Sequence, residues 1–392
     1  MRVVVKFGGT SLATKERIAR AARSVTETVE RGHQVIVVAS ALGEYTDELI
    51  EAVPDGVEPV AMDEILSMGE RTSIRVLAAA IEAEGIDATY LEPGHPAWPI
   101  CATETGELDL EATRFRVGEL FAYVDGAVPV VAGFVAERPD GSIVTLGRGS
   151  SDTTAVALGS FLPADEVVIV SDVTGVMTAD PRVVEGARNV DVIDADRLRE
   201  LSLRGADVVS PDALALKDDD VGMRIVHYQQ GDLLTGGTVV EGSFSSVVDL
   251  REGPIVAITI AGHALRSRPG IVERLTAQLH RVDIPIVALA SGLNSLTFYV
   301  DADRADTAES ALHETVLSAE YLWSVSRSEP LGIIRITGRD LGTDPDQLID
   351  ALDALSTVSI EPTDVITSAT TTTLVVPWQV AEDALSAIQT GG

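Results

Sequence analysis

The chain opens MRVVVKFGGTS, with Lys6 set between an apolar run and the pair Gly8-Gly9. A strand that ends in two glycines before a helix lets backbone N–H groups approach a phosphate closely, and the helix N-terminus adds partial positive charge. An ammonium at that spot neutralises a transferring phosphoryl group as a point charge, whereas the planar guanidinium of arginine demands a bidentate geometry. The choice is pointed, because Lys6, Lys15 and Lys217 are the only lysines among 29 basic residues. A tight βα turn that binds nothing would show the same hexapeptide, so this stretch by itself leaves both readings open.

Two more clusters carry chemistry. In TLGRGSSDTTA, residues 145–155, Arg148 is flanked by glycines at the end of a strand and suits a bidentate clamp on a carboxylate or phosphate. Asp152 in the same cluster either joins that site or is the N-cap of the helix that follows. In VSDVTGVMTADPR, residues 170–182, Ser171-Asp172 ends a strand, and a Gly/Pro-containing loop carries Asp180 and Arg182. Its length and polarity favour a ligand contact over a plain connection.

These clusters must be positioned by the elements between them. VVVKF, the periodic stretch from Ser11 to Gly32 and QVIVVAS form a strand-helix-strand unit. Further units follow through the helix at MDEILSMGERTSIRVLAAAIEAEG, the strands ATYLE, AVPVVAG and EVVIVSD, and a hairpin at Asp140-Gly141. The alternation predicts an α/β fold, an open and mostly parallel sheet sandwiched by helices, with ligands at the carboxyl ends of its strands. Domain 1–242 holds all three clusters. Beyond it, segments 253–326 and 327–392 repeat a β-α-β-β-α-β order, the ferredoxin-like module. The second repeat lacks its last strand, so the pair is expected to share or interleave strands. VSIEP, residues 358–362, reads as one strand of that repeat.

Composition narrows the partners. Sixty-one acidic residues against 29 basic ones give a formal charge of -32, which repels nucleic acid and anionic membranes and excludes both as partners. With 45% hydrophobic but only 4% aromatic residues, the core must be built mainly from Val, Ala, Leu and Ile. Abundant Asp/Glu with scarce lysine resembles proteins from halophilic organisms. The single cysteine, Cys101, allows no internal disulfide and reads as a small hydrophobe. No apolar run is long enough to span a bilayer and MRVVVKF lacks the apolar region of a signal peptide, so a soluble cytoplasmic protein is expected.

Taken together and in this order, the motifs resemble aspartate kinases of the amino acid kinase family. The matching residues are Lys6 to Ser11, then Ser40-Ala41 and Thr46-Asp47 in VVASALGEYTDEL, and Gly69-Glu70-Arg71 with Ser73 in LSMGERTS. They continue with Gly133-Phe134, Thr145 to Gly149 with Ser151-Asp152, and Ser171-Asp172, Gly175 and Asp180-Pro181-Arg182. That family follows its kinase domain with two ACT modules, so the resemblance spans the whole chain.

The resemblance implies transfer of the γ-phosphoryl group of ATP, with Mg²⁺, to the β-carboxylate of L-aspartate, the first step of lysine, threonine and methionine biosynthesis. It implies Lys6, Arg148 and Asp152 as catalytic residues. Arg148 would clamp the substrate α-carboxylate, Glu70 with Asp152 would hold its ammonium, and Ser40, Thr46, Phe134 and Ser151 would line the same pocket. Gly8, Gly9, Ser11, Ser171, Asp172, Met177, Arg182 and Asp207 would join Lys6 at the nucleotide. Two positions depart from the family. GADVVSP stands where GAKVLHP is usual, with Asp207 for the lysine and Ser210 for the histidine, and Met177 replaces an aromatic residue. Lys217 either compensates or is a surface lysine at a helix end. No residue is assigned to a protein-bound metal.

For the ACT pair the resemblance implies a homodimer or higher homo-oligomer and an effector, lysine or threonine, near Ser267, Gly270, Gly292, Leu293 and Asn294. A purely dimerising pair is the alternative. A non-catalytic amino-acid-binding regulatory subunit and a kinase of another carboxylate or carbamate are the competing functional readings. From charge alone, repulsion among surface carboxylates should be relieved as salt shortens the Debye length. Melting temperature and activity should therefore rise between about 0.1 and 3 M KCl; thermal unfolding across that series checks this, and maximal stability at the lowest salt refutes it.

Overall fold

The computed structural model describes residues 1–122, 124, 126–147, 149–206, 208–244, 247–263, 265, 268–338 and 346–391. It separates into two units, Met1–Phe244 and Ser245–Gly392. Arg148, Asp207 and Ser267 lie outside the described residues.

In the first unit, β1 (Arg2–Phe7) passes through a 3-10 turn (Gly9–Leu12) into α1 (Lys15–Glu30) and β2 (Gln34–Ala39). Next come α2 (Tyr45–Ala52), α3 (Pro59–Ala83), β3 (Ala88–Leu91), α4 (Leu110–Glu119) and β4 (Val128–Ala132). The hairpin β5 (Val135–Glu137) and β6 (Ile143–Thr145) leads to α5 (Ser150–Phe161) and β7 (Glu166–Ser171). The unit finishes with β8 (Val192–Asp194), α6 (Ala195–Leu203), α7 (Pro211–Ala215), β9 (Gly222–His227) and β10 (Thr238–Glu241). The sheet runs β3-β4-β2-β1-β7-β9-β10-β8, and only the β9–β10 pairing is antiparallel.

The apolar runs explain this arrangement. Val3, Val4, Val5, Val37 and Val38 are fully buried, as strands covered on both faces require. Helix α1 packs on α3, while α5 packs on α4 and α7. Starts are set locally: Thr14 caps α1 by accepting the Arg17 N–H, and Asp109 caps α4 by accepting the Ala112 N–H.

The sequence reading placed no element between residues 211 and 241, where α7, β9 and β10 form. Arg224 and His227 interrupt the apolar run of β9 and hide its strand character. The structure accommodates that charge on the sheet, with the Arg224 Nε 2.8 Å from Glu166 Oε1. Lys217 is not at the surface. It is 4% exposed, and its ammonium donates to the carbonyls of Gly242 at 2.5 Å and Asp218 at 3.2 Å, while burial lowers its pKa.

The second unit contains β11 (Val247–Leu250), β12 (Ile255–Gly262), α8 (Ile271–Arg281), β13 (Ala288–Ser291), β14 (Ser295–Asp301), α9 (Ala305–Leu317) and β15 (Leu322–Arg327). It continues with β16 (Leu331–Thr337), α10 (Asp346–Thr357), β17 (Asp364–Thr367), β18 (Thr371–Pro377) and α11 (Ala381–Gly391). One sheet, β13-β14-β12-β16-β18-β17, carries β15 on β12 and β11 on β16. The strand absent from the second repeat is thus β11, which precedes the first repeat in the chain. Residues 358–362 are not a strand. Ser359 is left-handed (φ 57) and the Ile360 N–H returns to the Leu355 carbonyl, so VSI closes the C-terminus of α10, and the strand is displaced to Asp364–Thr367. Each repeat keeps its own core, around Ile258, Leu275 and Phe298 in one and Ile334, Leu355 and Leu374 in the other.

Replacing Lys217 leaves the Gly242 carbonyl without its charged donor. Lys217→Ala should lower stability by about 1–3 kcal/mol without changing the KM for ATP. Thermal melting with nucleotide kinetics reads both, and a weakened ATP interaction at unchanged stability would contradict this placement.

Candidate active site

Parallel pairing brings the carboxyl ends of β2, β1 and β7 side by side, with Phe7 opposite both Ala39 and Val170. Backbone bonds extend this edge: the Ser40 N–H donates to Phe7, the Gly133 N–H to Ala39, and the Gly8 N–H to Val170. The Ser11 hydroxyl also donates to the Val170 carbonyl, at 3.2 Å. The turn after Lys6 is therefore pinned from both neighbouring strands. Only glycine fits at position 9, where a Cβ would stand 2.6 Å from the Gly43 carbonyl oxygen. Gly133 meets the same limit, since a Cβ there would be 2.5 Å from the Ser151 hydroxyl.

At this edge the Lys6 ammonium lies 2.7 Å from Asp152 Oδ1. Asp152 is buried in the first turn of α5, whose N-cap is Gly149, and its carboxylate makes no capping bond. Its second oxygen accepts the Ser210 N–H at 3.2 Å. The N-cap alternative is thereby excluded. A cleft of about 250 Å³ opens beside Asp152, lined by Gly149, Ser202, Ser210 and Pro211 among others.

Glu70 projects from α3 and is 3% exposed, so it is not a solvated helix-face carboxylate. One oxygen accepts the Ala41 N–H at 3.0 Å, and the other is buried without a hydrogen-bond partner among the described residues. Burial, only partly offset by that bond, pushes its pKa from 4.5 to about 7. A buried carboxyl with one unpaired oxygen is built to receive a donor. Thr46 borders the same stretch, its hydroxyl 3.5 Å from where a Gly69 Cβ would be. Phe134 holds a left-handed conformation (φ 66), and its carbonyl accepts the Leu146 N–H at 2.8 Å. Such strain in a bulky residue persists only where the surroundings enforce it.

The nucleotide candidates are more open. Ser171 ends β7, its hydroxyl 3.3 Å from Asp172 Oδ1, and its carbonyl accepts the Tyr228 N–H. Arg182 is 89% exposed and engaged with Asp180 at 3.0 Å, while Met177 receives a 3.4 Å hydrogen bond from Thr174. Among the effector candidates, Gly270 caps α8, and Gly292, the exposed Leu293 and Asn294 form the turn between β13 and β14. The Asn294 carbonyl accepts the Gly262 N–H at 3.0 Å, which places that turn beside the end of β12. Sequence reasoning missed the backbone donors of Ala41 and Ser210, which carry no residue-type signature. It also missed Asp63, whose spacing of seven from Glu70 puts both on one face of α3.

Residues 1–227 match the amino acid kinase family and residues 258–316 match the ACT domain. The chain belongs to the amino acid kinase family. It is 33% identical to aspartokinase 2 of Bacillus subtilis over 88% of this chain and 86% of that one. It is 31% identical to the aspartokinase of Thermus thermophilus over 98% and 97%, respectively. Its structure is similar to that of the aspartate kinase from Synechocystis, with a TM-score of 0.77 and 26% identity, covering 100% of this chain and 69% of that one. Within its family the chain is an aspartate kinase, a phosphotransferase whose acceptor is a carboxyl group.

The Glu70 carboxyl has a consequence for the enzyme without ligands. Between about pH 4.5 and 7 the folded protein holds this proton and the unfolded chain has released it, so stability falls as pH rises through that window. The shift corresponds to about 3 kcal/mol. Glu70→Gln should remove this decline and leave the protein at least as stable at pH 8, as read by melting temperature against pH; a variant that melts lower at pH 8 contradicts it.

Proposed function

We propose that Lys6, oriented by Asp152, neutralises charge on the γ-phosphoryl group of ATP as it passes to the β-carboxylate of L-aspartate. A carboxylate oxygen attacks the γ-phosphorus, the bond to the β-phosphate oxygen breaks, and 4-phospho-L-aspartate and ADP result. The acceptor is already ionised at neutral pH, so no general base is required and catalysis reduces to alignment and charge neutralisation. The observation that carries this reading is the 2.7 Å Lys6–Asp152 pair at the strand edge that ends in Gly8-Gly9. The close packing at Gly9 and Gly133 supports it, because both glycines hold backbone rather than side chain against the site.

Glu70 receives the substrate ammonium on its unpaired oxygen, alongside Asp152, and Arg148 takes the α-carboxylate. Ser40, Thr46, Phe134 and Ser151 complete that pocket, and Gly8, Gly9, Ser11, Ser171, Asp172, Met177, Arg182 and Asp207 serve the nucleotide. Among the described residues there is no cluster of three or more metal-ligating side chains. A Mg²⁺ brought with the nucleotide would be held largely by phosphates and water, where it would neutralise charge. Lysine or threonine acts at the β12–α8 loop and the β13–β14 turn, and the ACT unit assembles the chain into a homo-oligomer.

A coupled assay for ADP release, with L-aspartate against L-glutamate, tests the reading. Lys6→Ala should lower kcat by on the order of 10²–10³ with a smaller change in the aspartate KM, and Lys6→Arg should restore little. Near-normal turnover of the arginine variant would sink the point-charge role. Lysine or threonine added to the same assay reads regulation, and an unchanged rate with both removes them as effectors.

A further inference from the structure

The strand β6 ends three residues before the glycine-flanked position 148, and it is held by a carboxylate from another element. Asp63, one turn into α3, accepts both the backbone N–H of Thr145 at 3.1 Å and the Thr145 hydroxyl at 2.6 Å on a single oxygen. Its other oxygen faces the Arg138 guanidinium at 3.6 Å, and both side chains of that pair are mostly buried. Arg138 in turn donates to the Ile143 carbonyl at 3.1 Å, so the same cluster fixes both strands of the β5–β6 hairpin.

Glu70 lies two turns further along α3, about 10.5 Å by helical rise. The two carboxylates act alike on different loops: Glu70 accepts a backbone N–H from the segment after β2, and Asp63 accepts one from the segment before Gly147. One rigid helix thus spans the strand ends that enter the site. The far end of the loop is held as well, because the Ser150 hydroxyl donates to the Gly147 carbonyl at 2.6 Å as α5 begins.

We infer that Asp63 is a positioning residue for aspartate. Through Thr145 it sets the distance between the end of β6 and the Glu70 carboxylate, and so matches the site to the separation of the substrate's α-carboxylate and ammonium. This rests on the assignment of Arg148 and Glu70 to the amino acid. Asp63 touches neither substrate nor nucleotide, so its influence must pass through the Thr145 bonds.

The test uses the full chain and steady-state kinetics with each substrate varied. Asp63→Ala should raise the aspartate KM roughly tenfold or more, the scale of one charge-assisted hydrogen bond, with the ATP KM within about twofold. Thr145→Val, which keeps the side-chain volume, should shift it in the same direction. The double variant should be no worse than the more affected single one, because the two groups form one interaction. Asp63→Asn keeps an acceptor oxygen and should restore much of the aspartate KM, which a general loss of packing would not allow. An unchanged aspartate KM in Thr145→Val, or equal rises for aspartate and ATP, overturns the inference; if Asp63→Ala does not fold, Thr145→Val and Asp63→Asn decide. Glu70→Gln separates the two levels. If it weakens aspartate while Thr145→Val does not, only the positioning role falls; if neither affects aspartate, the assignment of the pocket falls with it.

Discussion

The first unit is organised around an ion pair between two elements far apart in sequence. Lys6 lies near the end of a central strand and Asp152 in the first turn of a helix that is buried along most of its length, and their 2.7 Å contact requires both to meet at the carboxyl edge of the sheet. Removing either partner would leave a charge in a poorly hydrated place, which is far more unfavourable than exposing it. The surrounding structure is consistent with that demand. Ser210 supplies a second donor to Asp152, and the flanking strands pin the turn so that the ammonium has a defined position.

Glu70 shows the opposite arrangement. Among the described residues it has one backbone donor and no cation within hydrogen-bonding reach, and burial keeps its proton on to near neutrality. The site therefore pairs a satisfied carboxylate with an unsatisfied one. The satisfied group is already paired with Lys6, and the unsatisfied group retains capacity for a donor that none of the described residues provides.

Much of this was legible in residue order. The glycine turn after Lys6, the acidic start of α5 and the strand-helix alternation are local patterns with local causes, and they survive the passage to three dimensions. What was not legible depends on partners that sequence does not display. Strand β9 is masked by Arg224, whose charge becomes acceptable only beside Glu166 on the neighbouring strand. The apolar residues Val358 and Ile360 suggest a strand, yet here they terminate a helix, because a left-handed Ser359 turns the chain and Ile360 joins the core beneath α10. Asp63 reads as an ordinary helix-surface acid until Thr145 is placed beside it.

In the second unit, β11 pairs with β16 across an intervening module, joining Val247 to Thr337 and Leu250 to Ile334. During synthesis β11 emerges well before its partner exists, so it must wait unpaired while the whole first module is made. That module shortens the wait in space though not in time. Once folded, it brings Ile255 opposite Leu331, and the long open segment becomes an almost closed loop. The entropy of joining β11 to β16 is then set by a few residues at the module's base rather than by the full stretch between them. A lesion confined to the first module's core would therefore delay completion of the second, although the two cores share no residue.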